Sequence, residues 1–286
     1  LDTFFINCLN GLSWGMLLFL ISAGLSTIFG VMGVLNFAHG SFYMLGAYFC
    51  MQIMFFSDNY WIGLILSPIA VAIFGALIER TILRHVYQRD ITYQLLLTFA
   101  LLLIVDDTVR LIWGAGYYLT EPPEILSGVI NVFGQSYSLY RIFLIFMGPL
   151  VAIGLLIFFQ KSTWGKIIRA ASMDREMAEG LGINVSFIYT AVFALGCWLA
   201  GVGGALAAPF QSISPAMGEK IIIESFIVVV VGGLGSFQGA FLGALLLGVM
   251  EAFGTSMVGD IQMALPYLLL AIILIFRPTG FFGKTR

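Results

Sequence analysis

TFFINCLNGLSWGMLLFLISAGLSTIFGVMGVLNFAHGSFYMLGAYFCMQIMFFS, residues Thr3 to Ser57, contains no formal charge. A helix crossing a ~30 Å hydrocarbon core needs about 20 residues at 1.5 Å each, so this stretch holds more than one crossing. Uncharged runs recur at Asn59 to Ile78, Ile142 to Gln160, Gly180 to Gly218, Ser225 to Met250 and Ile261 to Phe276. Over the 286 residues, 60% are hydrophobic and 10% charged, far from the roughly 45 to 50% and 25% of soluble domains. That excludes a water-soluble enzyme and leaves no basic surface for nucleic acid. The runs are apolar all round and do not alternate with period two, which argues for helices spanning a lipid bilayer and against a barrel.

The net charge of -2 matters less than where the charges sit. Most of the 13 Lys and Arg fall in three groups: Arg80, Arg84 and Arg89; Lys161, Lys166, Arg169 and Arg175; Arg277, Lys284 and Arg286. The positive-inside rule puts these in the cytoplasm. Gly116 to Tyr140 has Glu121 and Glu124 but no basic residue before Arg141, and is expected outside, as is Gln211 to Glu224. Spans are predicted near 4–29, 31–56, 60–78, 91–114, 141–160, 186–208, 237–256 and 261–276. An inside loop at 161–185 and an inside C-terminal segment require an even number of crossings between them, yet only three full spans fit there. A short broken helix at Ser225 to Gly235 repairs the parity. The expected fold is an all-α, polytopic transmembrane bundle of about eight spans plus one short broken or re-entrant helix. It forms one transmembrane domain over 1–286, with the loop 161–185 within it.

Leu1-Asp-Thr-Phe-Phe lacks a basic n-region, so no cleavable signal is expected, and an opening Leu points to a trimmed native start. Cys8, Cys50 and Cys197 lie singly in apolar stretches and read as packing residues, not as a disulfide or metal framework. A second interruption appears early, where Gly30, Gly33, Asn36, His39, Gly40 and Gly46 punctuate an otherwise continuous hydrophobic run. Irregular backbone at membrane depth survives only where protein buries it or a wet cavity meets it, and transporters place substrate paths at such breaks. Asp106, Asp107 and Arg110 fall inside the span Ile91 to Gly114. Charge there costs roughly 2.5 to 3.5 kcal/mol at the bilayer centre, so the three are expected to face inward and pair.

The loop Gly165 to Asn184 is the most polar segment. Ser172 is expected to cap a helix whose first turn holds Asp174 and Glu176, with Gly180 or Gly182 ending it. The pattern Gly165-x-x-x-Arg169-Ala170-x-x-x-Asp174-x-x-x-Ala178-x-x-x-Gly182-Ile183-Asn184 resembles the coupling loop of the LivH/LivM permeases of branched-chain amino acid importers driven by ATP-binding-cassette subunits. Gly30-Val-Met-Gly-Val-Leu-Asn-Phe-Ala-His-Gly-Ser-Phe-Tyr-Met-Leu-Gly-Ala-Tyr48 is similar to that family's first broken helix. Gly232-Gly-Leu-Gly-Ser-Phe-Gln-Gly-Ala-Phe-Leu-Gly-Ala244 and Phe276-Arg-Pro-Thr-Gly-Phe-Phe-Gly283 are similar to its second half.

The resemblance implies a multi-pass protein of the bacterial inner membrane. Its partners would be a second, LivM-like permease, two ATPase subunits and a periplasmic solute-binding protein, with the lipid bilayer as solvent. It implies no catalytic residue, metal or cofactor in this chain. Arg169, Asp174, Arg175, Glu176, Glu179 and Gly182 would dock on an ATPase. Asn36, His39 and Ser41 in the first half, with Ser236 and Gln238 in the second, would line the path. Branched-chain amino acids, amides, urea and aromatic acids all fit as cargo.

Two apparent nucleotide motifs fail. Pro278-Thr-Gly-Phe-Phe-Gly-Lys-Thr285 lacks the first Gly of a phosphate-binding loop, and Gly233-x-Gly235 followed by Gly239 is one residue off a dinucleotide fingerprint. The alternative left open by the residues is an ion-coupled secondary transporter, with Asp106 or Asp107 carrying the ion.

Overall fold

The computed structural model describes residues 2–87, 89–132, 134–257 and 263–283. The architecture is all-helical apart from one hairpin. In chain order the helices are α1 (Asp2–Met32), α2 (His39–Ser57), α3 (Tyr60–Thr81), α4 (Ile91–Trp113), α5 (Leu139–Lys161), α6 (Thr163–Met173), α7 (Arg175–Gly180), α8 (Val185–Ala207), α9 (Met217–Gly232), α10 (Phe237–Met257) and α11 (Leu265–Phe276). Five described helices are long and apolar enough to cross a membrane: Thr3–Met32 within α1, then α3, α5, α8 and Phe237–Ser256 within α10. α4 carries three charges, while α9 and α11 run only 16 and 12 residues. The start of the predicted last span, Ile261 and Gln262, lies outside the described residues, as do Lys284 and Arg286.

Side-chain oxygens start several helices as the sequence dictates. Asn59 accepts from the Trp61 N–H at 2.9 Å, Ser162 from Gly165 at 2.9 Å, Asn184 from Phe187 at 3.0 Å and Ser236 from Gly239 at 3.0 Å. Each satisfies one of the donors that a first helical turn leaves open. Pro68 and Pro149 both sit inside continuous helices.

The core is assembled around α1 and α8, which pack on each other, on α2, α3 and α10. Small residues set the spacing. A Cβ on Gly15 would stand 2.9 Å from the Ala244 carbonyl, and one on Gly11 2.6 Å from the Val249 Cα, so α1 and α10 touch backbone to backbone and run antiparallel. Gly201 faces Pro68, and Gly75 faces Cys197, which makes α3 antiparallel to α8. With little hydrophobic drive between helices in lipid, such close approach and its dispersion contacts carry the packing.

Two expectations need correction. The first interruption is a non-helical segment at residues 33–38, entered through Gly33 at φ +68, so α2 begins at His39 and not at 31. The second break lies between α9 and α10. α9, however, starts at Met217, inside the stretch expected as external loop, because Gly218 packs against the Gly40 backbone and Met217, Ile221 and Ile222 are buried. Four helices, α8 to α11, therefore lie between the polar loop and the C-terminal segment. The segment expected outside at 116–140 contains the antiparallel hairpin β1 (Val129–Val132) and β2 (Gln135–Ser138), with Val129 opposite Ser138. Tyr118 and Ile213 exchange both backbone hydrogen bonds, at 2.9 and 2.8 Å, joining the two segments read as external.

The near-P-loop at the C-terminal segment has a structural use. Phe281 and Phe282 donate their N–H groups at 2.9 Å to the Val231 and Gly232 carbonyls, two of the acceptors that the end of α9 leaves open.

Candidate functional site

The break between α1 and α2 carries several buried polar residues. Asn36, His39 and Ser41 are fully buried, as are Ser22 and, nearly, Ser26 on α1. His39 Nε2 lies 3.1 Å from the Ile21 carbonyl. A carbonyl only accepts, so Nε2 carries a hydrogen, and in the neutral ring Nδ1 presents a bare lone pair. Gly24 makes room for the ring: a Cβ there would be 2.9 Å from His39 Nε2 and 2.6 Å from the Gly196 carbonyl. His39 Nδ1, both amide atoms of Asn36 and the hydroxyls of Ser22, Ser26 and Ser41 have no hydrogen-bond partner among the described residues. Buried groups of this kind ordinarily pair. A cluster without protein partners can bind a polar solute or water.

α2 begins at this cluster without a side-chain cap. The Asn36 and Ala38 carbonyls take the N–H groups of His39 and Ser41 at 3.2 and 3.0 Å. The last turn of α1 meets the second break through backbone, since a Cβ on Gly30 would lie 3.2 Å from the Gly235 Cα. The side chains of the two breaks do not form one polar set. Ser236 is engaged in capping α10, and Gln238 is exposed.

The acidic pair on α4 divides. Asp106 is buried, with one carboxylate oxygen lacking a partner. Asp107 and Arg110 lie 3.9 Å apart with side chains 75% and 53% exposed. They do pair, but on the outer surface of the bundle, contrary to the inward orientation expected for all three. Neighbouring residues of a helix point about 100° apart, so Asp106 and Asp107 cannot share a face.

The polar loop folds into two short helices. Ile168, Ala171 and Ala178 pack with Val185, Ile188 and Val192 at the root of α8. Asp174, not Ser172, is the cap of α7: its Oδ1 accepts from the Met177 N–H at 2.9 Å, while Ser172 lies within α6 and donates to the Arg169 carbonyl at 2.9 Å. Arg169 donates to the Phe159 carbonyl and so ties α6 to the end of α5. Arg175 pairs with Glu179 at 3.0 Å and stands 5.8 Å over the Tyr189 ring. Gly182 turns the chain at φ +83, a conformation that favours glycine. Glu176 is exposed. Three large apolar side chains are exposed on the knob beside its charged ones: Met173 is 88% exposed, Met177 62% and Leu181 74%. An exposed apolar cluster on a polar knob marks a contact surface, and methionine side chains adapt well to a groove.

Sequence reasoning missed two buried carboxylates. Glu79, one residue beyond the predicted third span, is fully buried on α3 and accepts from the Tyr87 hydroxyl at 2.8 Å and the Thr190 hydroxyl at 2.6 Å. Burial first, and then the Glu79 carboxylate, push the Tyr87 phenol upward, which keeps it a neutral donor. Glu224, expected in an external loop, is buried on α9 with Lys220 Nζ 3.7 Å away. The i,i+4 spacing of Lys220 and Glu224 was the available signal.

Branched-chain amino acid transport system permease components form a family that matches residues 7–276. The chain is 33% identical to the permease BraD of the high-affinity branched-chain amino acid transport system of Pseudomonas aeruginosa, covering 96% of this chain and 94% of that one. It is 30% identical to the corresponding permease LivH of Salmonella typhimurium, with the same shares covered. It is also similar to LivM of Salmonella typhimurium, at 24% identity over 95% of this chain and 69% of the relative. No solved structure matches.

Proposed function

We infer the role of this chain from one premise: it belongs to the family of branched-chain amino acid transport system permease components. It is a multi-pass membrane permease of a transport system and not an enzyme. We propose that it forms one half of the translocation pathway of an importer in the bacterial inner membrane, driven by two cytoplasmic ATPase subunits and fed by a periplasmic solute-binding protein. Its cargo is branched-chain amino acids or related small solutes. The family match along residues 7–276 carries the reading. Similarity to both LivH and LivM relatives supports a second permease of the LivM kind beside it. The exposed Asp107–Arg110 pair supports the same partner, because charge facing lipid costs roughly 2.5 to 3.5 kcal/mol at the bilayer centre, and a protein neighbour removes that exposure.

The proposed topology has nine crossings, α1 to α5 and α8 to α11, within one transmembrane domain. With the basic knob inside, α8 runs outward, and the antiparallel contacts then send α1 and α3 inward. Substrate would pass the α1–α2 break, where Asn36, His39 and Ser41 offer unsatisfied polar atoms, and the α9–α10 junction at Ser236 and Gln238. The knob of α6 and α7 is the proposed coupling element. Met173, Met177 and Leu181 would enter an ATPase groove, while Arg169, Asp174, Arg175, Glu179 and Gly182 hold the knob's shape and Glu176 stays at its rim.

Coupling of this kind is mechanical and asks no chemistry of these side chains. An ion-coupled carrier finds no support, since the relatives are permease components of multi-part systems and Asp107 is paired at the surface. The test is Met173→Glu with Met177→Glu, read by co-purification of the ATPase subunits and by uptake in proteoliposomes. Loss of both with normal size-exclusion behaviour is expected. Uptake that persists without ATP hydrolysis would refute the importer reading.

A further inference from the structure

We propose that the cationic cavity between the inner ends of α3 and α8 and helix α7 binds the phosphate of an anionic phospholipid headgroup. One acyl chain of that lipid would lie in the apolar groove bounded by α2, α3 and α4. The inference rests on the inside placement of the knob given above. The cavity, about 250 Å³, is lined by Arg84, His85, Tyr87, Arg175, Ser186 and Tyr189. Two guanidinium groups and an imidazole line this space, no carboxylate is among its lining residues, and Arg175 pairs with Glu179. The phenol of Tyr87 is spent on Glu79 and Arg175 Nε on Glu179, so the available donors include those of Arg84, His85 and Ser186 and the remaining N–H groups of Arg175. Ser186 lies in the first turn of the 23-residue α8, whose N-terminal end adds partial positive charge.

Several observations favour a lipid over a soluble anion. The cavity sits just past the end of α3 at Thr81 and beside the first turns of α8, so under the proposed topology it lies at headgroup depth. Tyr87 and Tyr189 stand edge to face at 5.9 Å beside it, and such ring pairs favour the membrane interface. Ile82, two positions before Arg84, lines an apolar groove of about 320 Å³ that continues past Ile78, Leu101, Val105 and Ile112 to Trp113. A polar anion site opening beside an apolar groove matches a molecule with a phosphate head and a hydrocarbon tail. Basic pockets between helices on the cytoplasmic side bind such headgroups elsewhere. Because Arg175 also belongs to the knob, the bound lipid would brace the coupling element against the membrane.

The experiment measures lipid retained by the assembled transporter, purified in mild detergent with phosphatidylglycerol or phosphatidylcholine, by native mass spectrometry. Retention of phosphatidylglycerol over phosphatidylcholine is expected. Arg84→Ala should weaken it roughly fivefold, the factor equivalent to the ~1 kcal/mol that one basic side chain contributes near an anionic surface. Arg84→Ala with His85→Ala should weaken it further, and Arg84→Lys should restore most of it, which separates charge from misfolding. Filling the groove with Ile104→Trp should lower lipid retention but not the binding of inorganic phosphate.

Equal retention of the two lipids overturns the proposal. So does phosphate binding with no dependence on the groove, which would make the site one for a soluble anion. Retention by the permease that vanishes once the ATPase subunits bind would assign the cavity to a protein carboxylate instead. Retention is read without transport, so its failure leaves the importer reading standing. Labelling of an Arg84→Cys variant from the outer side would instead refute the orientation.

Discussion

Asn36→Leu is expected to stabilise the fold and to slow transport. Both amide atoms of Asn36 are buried without a protein partner, and each such group costs about 1 to 3 kcal/mol relative to a paired one. Two give roughly 2 to 6 kcal/mol, and water admitted at the break offsets much of it, leaving a gain of about 1 to 3 kcal/mol for an apolar side chain of similar volume. Among the described residues only Asp58, apart from glycines, has positive φ, so Leu meets no backbone strain at position 36. The Asn36 carbonyl keeps its bond from the His39 N–H.

If the amide serves a passing solute, the loss of a hydrogen bond to a charged group, about 1.5 to 3 kcal/mol, lowers uptake roughly 10- to 150-fold. Unfolding by sodium dodecyl sulfate in mixed micelles reads the first effect, and uptake into proteoliposomes at fixed ATPase activity reads the second. A less stable variant with normal uptake would show that the amide holds the break together and meets no cargo.

Gly24→Ala would push a methyl to 2.6 Å from the Gly196 carbonyl and 2.9 Å from the His39 ring. Overpacking of about 1 to 3 kcal/mol should appear in the same unfolding titration, together with lost uptake. Tyr87→Phe removes one of the two donors to the buried Glu79 carboxylate. A loss of about 1.5 to 3 kcal/mol is expected, and an unchanged midpoint would mean that this hydrogen bond does not hold the fold. Asp174→Ala deletes the α7 cap, worth about 0.5 to 2 kcal/mol to the helix. It should raise the ratio of ATP hydrolysed to solute imported while leaving the bundle's unfolding unchanged.

Membrane residence and the helix pattern were legible because lipid leaves the backbone so few solutions. Caps at Asn59 and Asn184 follow from residue type alone. The register of the knob did not. Ser172 and Asp174 are both good caps, and the choice between them is made by Ile168 and Ala171, whose packing carries α6 on through Ser172. The start of α9 was hidden by Glu219, Lys220 and Glu224, charges that read as loop until the tight contact of Gly218 with Gly40 is known. On α4, spacing announces that Asp107 and Arg110 can meet but not which side of the helix meets protein. Asn36, His39 and Ser41 stood out as polar residues at a glycine-rich break. Their lack of partners depends on what α1 and α8 bring beside them, and no local pattern encodes that.

The seal at the end of α9 imposes an order on biogenesis. The carbonyls of Val231 and Gly232 find their donors in Phe281 and Phe282, which the ribosome adds only after α10 and α11. Until those residues are made, the two carbonyls lack the donors they have in the finished fold. Completion of that junction is thus a late event of synthesis, and a nascent permease halted after α11 has its helices in place with the junction still unclosed.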